Sequence, residues 1–176
     1  MLIAKICFLQ MSFNREQDAA TVAQREWAKL NTSIIFETFW GLSRTQTICS
    51  HQTCDHKGTP SHEPFLELGL NMPQHDKPCS LSELIREIEE PVHLGEAKCD
   101  KCKRKNTLYS QLTLVRLPPV LILRLIRFHG QGESLAKKDN RVDFDDTLDS
   151  RHIARHGSLG RQRYKLNSVL NHAGTR

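Results

Sequence analysis

The sequence predicts an α+β fold in which strands dominate, a few short helices cover them, and a metal site staples the strand-rich part. Three observations carry this. Two cysteine pairs, Cys49-Ser-His-Gln-Thr-Cys54 and Cys99-Asp-Lys-Cys102, lie far apart in the chain. Apolar residues alternate with polar ones along several short runs after Leu42, which is the period of a half-buried strand. Two other stretches place apolar residues three and four apart behind a capping residue, as an amphipathic helix does.

The totals set the frame. At 176 residues the chain fits one domain, or one and a fragment. A formal charge of +5 is only mildly basic, so nucleic acid or an acidic partner is allowed and not demanded. Six cysteines in a secreted chain would suggest disulfides. Here the pairs sit among lysines and histidines, which reads as an intracellular metal site, cytoplasmic or nuclear. The apolar opening Met1–Gln10 is interrupted by Lys5 and lacks a clean small-residue cleavage site, so a signal peptide is not expected. No apolar run is long enough to cross a bilayer.

In chain order, Asn14 with Gln17 resembles a capping box, and Ala20, Ala23, Trp27 and Leu30 share one helical face over 14–30. Asn31-Thr-Ser33 offers a fresh cap to a short helix with the pairs Ile35/Phe39 and Phe36/Trp40, ending at Gly41. Arg44 to Ile48 leads as a strand into the first cysteine pair, and Gly58-Thr-Pro-Ser61 is a turn. Leu66, Leu68 and Leu70 alternate along a strand, and Asn71 to Pro78 is a polar connector. Ser80-Leu-Ser-Glu83 is a second capping box, opening a helix with Leu81, Leu84, Ile85 and Ile88 on one face and stopped by Pro91. Thr107 to Leu117 is a strand, Pro118-Pro119 breaks it, and Val120–Phe128 is a strand buried on most of its length. His129 to Asn140 is a loop, Arg141–Phe144 a short strand, 151–163 a basic loop in which Ile153 could pack, and Tyr164–Asn171 a last strand.

The chemistry concentrates at the cysteines. Four thiolates complete a closed tetrahedral zinc site, which holds shape and leaves no position open for reaction. Cys49, Cys54, Cys99 and Cys102 are the expected ligands; His51 or His56 stands as an alternative to one of the first pair. Cys7 and Cys79 have no partner at ligand spacing. Cys79 precedes the Ser80 helix, where a helix dipole lowers a thiol pKa, but a cysteine beside a cap is more often structural. His172 beside Asn171 is a tempting base, yet reads better as a turn histidine. Lys98, Lys101, Lys103, Arg104 and Lys105 surround the second pair; with Asp100 inside the run and Tyr109 its one aromatic neighbour, a solvated loop fits better than a phosphate-binding face.

Taken in order, these motifs resemble the ubiquitin-specific protease family of papain-like cysteine deubiquitinases. The resemblance rests on Trp27, Asn31–Ile35 and Phe39-Trp-Gly41 before the first cysteine pair, and Glu63-Pro-Phe-Leu-Glu-Leu-Gly-Leu70 after it. It continues through Ser80–Glu89, Cys99-x-x-Cys102, Leu117–Phe128, Val142-Asp-Phe144 and Tyr164–Thr175. It implies a partial papain-like fold of fingers (about 42–110) and palm (about 111–176), with a divergent N-terminal segment over 1–22. It further implies structural zinc and ubiquitin or a ubiquitinated protein as partner, with no membrane, and makes nucleic acid unlike the expected partner. The family reaction is attack by a cysteine thiolate, activated by histidine, on the carbonyl after the last glycine of ubiquitin. The nucleophile belongs to a Gly-Asn-Thr-Cys segment and the base to a Gly-His-Tyr; this sequence contains neither, so no catalytic residue is assigned and the chain is expected to be inactive alone. Glu16-Gln-Asp-Ala19 is similar to a family motif but stands too close to Trp27. The C-x4-C spacing is wider than the family's usual C-x-x-C, and Asp145 follows Phe144 where proline is common. Three readings follow: a partial ubiquitin carboxyl-terminal hydrolase domain, a non-catalytic ubiquitin-binding module, or a zinc ribbon that binds nucleic acid.

Overall fold

Strand β1 (Leu2–Gln10), to which the sequence reading assigns no element, is the centre of the larger sheet in the computed structural model, which describes residues 2–10, 33–129, 136–153 and 162–172. Its near-continuous apolar run suits a strand with neighbours on both sides. On one side it pairs with β8 (Val120–Ile126), on the other with β13 (Arg163–His172), both antiparallel. The expected helix over 14–30 lies outside the described residues.

Helix α1 (Ile34–Phe39) starts where Ser33 Oγ accepts the Phe36 N–H at 3.2 Å. Trp40 caps its end, and the Phe36 and Trp40 rings meet with centroids 5.1 Å apart. The Arg116 guanidinium lies 4.5 Å over the Trp40 ring, a cation–π contact. The chain then enters β2 (Gly41–Cys49), which lies between β3 (Ser61–Phe65) and β7 (Lys105–Arg116); β6 (Val92–Lys98) completes an antiparallel sheet in the order β3-β2-β7-β6. Both edges of this sheet resist further pairing. Pro64 on β3 lacks a donor, and β6 is bulged at Leu94 and carries Glu96 and Lys98.

The larger sheet runs β12-β13-β1-β8-β4, with β4 (Leu68–Asn71) parallel to β8 and β12 (Thr147–Asp149) antiparallel to β13. Leu68 and Leu70 are buried as expected; Leu66 instead is exposed, in the bend that carries the chain from one sheet to the other. In β8 the buried residues alternate, Leu121, Leu123 and Leu125 facing the core while Arg124 is exposed. Helix α2 (Leu81–Glu87) follows the two-residue strand β5 (Cys79–Ser80) and shows both halves of the capping box: Ser80 Oγ accepts from Glu83 N at 3.2 Å, and Ser80 N donates to Glu83 Oε2 at 2.8 Å. Leu81, Leu84 and Ile85 join Ile6, Phe8, Leu121 and Leu123 in one core. β5 pairs with β11 (Val142–Asp143), and β9 (Phe128–His129) with β10 (Ala136–Lys137), within the segment read as a loop. A short helix α3 (Ser150–Ile153) buries Ile153. Tyr164 is fully buried, its hydroxyl donating to Pro118 O at 2.7 Å.

Strand β7 joins the two sheets. It runs unbroken through 110 and 111, where the sequence reading divides fingers from palm, and its far end puts Leu114 into the main core. Buried Glu89, just past α2, fastens it there: its carboxylate accepts the Leu114 N–H at 2.8 Å and its carbonyl accepts from Gln111 Nε2 at 2.5 Å.

Candidate metal centre

The free ends of β2 and β7 lie side by side, with Cys49 opposite Leu108. The chain after β2 turns at His51–Cys54, where Cys54 N donates to His51 O at 2.8 Å. The chain before β7 turns at Cys99–Arg104, where Lys103 N donates to Cys99 O at 2.9 Å and Cys99 N to Arg104 O at 3.0 Å. Lys103 takes φ 58, the left-handed conformation that closes this knuckle.

These two turns bring the sulfurs of Cys49, Cys54, Cys99 and Cys102 within 4.8 Å of one another. Cys49 and Cys99 are buried, Cys54 and Cys102 half-buried, and all four are free of disulfides. The Cys54 and Cys99 sulfurs, one from each turn, stand 3.8 Å apart. That is too far for a disulfide, while thiolates at about 2.3 Å from a tetrahedral zinc are about 3.8 Å from each other. The donor set therefore fits a structural zinc ion.

The local electrostatics fit as well. The backbone N–H of Cys102, then that of Lys101, donates to the Cys99 sulfur; against the cost of burial they pull its thiol down to about 6. The His51 N–H does the same for Cys49, but burial and the three neighbouring sulfurs push that thiol up to about 11. Four thiols so close cannot all ionise unless a cation balances them. Asn106 Nδ2 adds a further donor, 3.4 Å from the Cys102 sulfur.

The two histidines offered as alternative ligands are not in the cluster. The ring of His51 faces Arg104 and Thr53, with Arg104 Nη1 2.6 Å from Nε2. His56 contributes no ring atom; its backbone carbonyl accepts from Cys49 N at 3.3 Å. The remaining cysteines, Cys7 and Cys79, stand apart from the cluster. Burial, and then Glu83, pushes up the Cys79 thiol, and its hydrogen-bond acceptor is the Arg141 carbonyl at 3.9 Å. Burial likewise raises Cys7, against a hydrogen bond with Ser168. The His172 side chain lies outside the described atoms; its backbone is the end of β13, opposite Leu2.

Comparison with known proteins places this geometry. The family model described as ubiquitin carboxyl-terminal hydrolase matches residues 6–176. Ubiquitin carboxyl-terminal hydrolase 44-A of Xenopus laevis is 31% identical over 168 residues, covering 86% of this chain and 24% of that protein. Ubiquitin carboxyl-terminal hydrolase 23 of Arabidopsis thaliana is 30% identical over 146 residues, covering 81% and 16%. Among solved structures, a chain of the SAGA Ubp8/Sgf11/Sus1/Sgf73 DUB module bound to ubiquitin aldehyde superposes with a TM-score of 0.67 at 22% identity, covering 82% of this chain and 34% of that one. The chain thus spans about a quarter or less of these two relatives and about a third of the solved chain. The match that begins inside β1 and runs to the last residue shows that this chain belongs to the ubiquitin carboxyl-terminal hydrolase family, as a part of the ubiquitin-specific protease fold.

Proposed function

We infer that this chain is the ubiquitin-holding part of a ubiquitin-specific protease, which binds ubiquitin and does not cleave it alone. The observation that carries this is the meeting of four sulfurs from two knuckles at the tip of the β3-β2-β7-β6 sheet, in a fold shared with modules solved with ubiquitin aldehyde and with monoubiquitin. Cys49, Cys54, Cys99 and Cys102 hold the zinc. Bound there, the ion supplies rigidity and no reaction chemistry, because four thiolates fill a tetrahedral shell.

The absence of cleavage follows from this chain's own residues. The sequence contains no Gly-Asn-Thr-Cys and no Gly-His-Tyr. Burial pushes the thiols of the two cysteines outside the cluster above the ordinary cysteine value. A tetrathiolate centre suits a reducing intracellular compartment; among the described residues no helix is long and apolar enough to cross a membrane. Nucleic acid fits less well, because Lys101 and Arg104 of the basic run are engaged by Asp55 and His51.

Titration calorimetry of the zinc-loaded chain with ubiquitin, beside a ubiquitin-amide cleavage assay, tests this. Binding with no cleavage above the enzyme-free rate is the expected result. Cleavage would overturn the non-catalytic assignment, and a folded, zinc-loaded chain that ignores ubiquitin would overturn the partner.

A further inference from the structure

Two polar contacts join the knuckles beside the sulfurs, across 46 and 53 residues of chain. Asp55, next to Cys54, forms an ion pair with Nζ of Lys101, next to Cys102. Arg104, two residues past Cys102, donates from Nη1 to Nε2 of His51 at 2.6 Å. On its other side the ring is met by Thr53, whose backbone N and Oγ1 lie 3.4 and 3.0 Å from Nδ1. His51 and Thr53 both lie inside the C-x4-C segment. A knuckle with two intervening residues would not accommodate the histidine, its orienting threonine and the turn between them.

We propose that the Asp55–Lys101 and His51–Arg104 contacts form a polar collar that joins the two knuckles independently of the metal and presents the four sulfurs as a set. The collar rests on the zinc reading above. Without it, the ion itself has to gather two segments far apart in sequence, and the loop-closure cost comes out of its binding free energy. The wide spacing of the first cysteine pair is then what makes room for the collar. Two charges of the second knuckle, Lys101 and Arg104, act as ties to the first, which leaves less of this basic run for a nucleic acid.

Joining and simple charge balance predict opposite signs at Asp55. Zinc with four thiolates carries a net double negative charge, so removing a neighbouring carboxylate would favour the complex if charge alone mattered. As a tie, the same removal weakens it. The experiment uses the full chain and measures the zinc dissociation constant by competition with a chromophoric chelator, with the cobalt(II) absorption spectrum as a count of thiolate ligands. The expected result is a loss of about two- to fivefold for Asp55→Asn and for Lys101→Gln, with the double variant no weaker than either single one. Adding Arg104→Gln brings the loss to about tenfold, and high salt narrows the gap to wild type. Tighter zinc binding by Asp55→Asn, or unchanged affinity in all variants with a four-thiolate cobalt spectrum retained, overturns the collar and leaves the zinc site standing. Absence of a four-thiolate spectrum in the wild-type chain overturns both.

Discussion

Single residues show where a sequence signal has more than one physical cause. Gly41 reads as the stop of a short helix, and the helix does end there, but Trp40 is the cap and Gly41 has no left-handed φ. Glycine is needed because the Phe65 ring of the paired strand lies across it; a Cβ would sit 2.1 Å from Phe65 Cζ. The cysteines were legible because ligand spacing leaves few other uses for them, whereas His51 was ambiguous, since a histidine at that position serves equally as ligand or as tie. Glu67 gave no signal at all. Its carboxylate bridges two paired strands, accepting from Lys5 Nζ at 2.8 Å and Arg124 Nε at 2.5 Å. The Lys5 hydrogen bond, aided by the charges of Lys5 and Arg124, holds the carboxyl below its usual range. A folded-state pKa below the unfolded one stabilises the fold above the unfolded value, about 4.3, and that contribution is lost as pH falls through the folded value. Glu67→Gln is therefore expected to cost about 0.5–1 kcal/mol near neutral pH and nothing in strong acid, read from urea midpoints across pH. A gap that persists unchanged into acid would rule out the carboxylate as its source.

At the scale of elements, local rules worked where the element carries its own punctuation. Helix α2 is announced by Ser80 and Glu83 at its start and by the spacing of Leu81, Leu84 and Ile85 along its buried face. Ser80→Ala is expected to lower stability by about 1 kcal/mol through the lost cap, measured as a shift in denaturant midpoint. Equal midpoints would mean the box is ornamental to this helix. Strands without punctuation were missed. β6 is almost wholly exposed, carries Gly95 at φ +100, and buries no side chain in the core; it is held by its pairing to β7, where His93 meets the Tyr109 ring. β1 failed for the opposite reason: apolar nearly throughout, it lacks the alternation by which a strand is recognised, and its partners are more than a hundred residues away. In the fold Ile6 and Phe8 are buried while Leu9 is exposed, so the alternation exists in burial and is hidden in the sequence by apolar residues on the outer face.

For the whole molecule, the fold class and the zinc-compatible pairing of cysteines came from the sequence, but the way the parts hold one another did not. The larger sheet has its own core of Ile6, Phe8, Leu121, Leu123 and Tyr164, while the four sulfurs gather at the tip of the smaller sheet. Stripping the metal with a chelator is expected to raise amide exchange around Cys49–Cys54 and Cys99–Tyr109 while β1, β8 and β13 stay protected, as mass-spectrometric exchange would show. Uniform loss of protection would mean that tip and base unfold as one unit. The place of β1 has one more outcome, in the order of synthesis. β2, β3, β6 and β7 are contiguous enough to assemble as they emerge, whereas β1 waits for β8 and then for β13. At about 5–20 residues per second, β13 leaves the ribosome roughly ten to thirty seconds after β1. Until β8 follows, and along the β13 edge for the full interval, β1 lacks its described partners, so a chaperone that captures extended apolar segments has its natural handle at Leu2–Gln10.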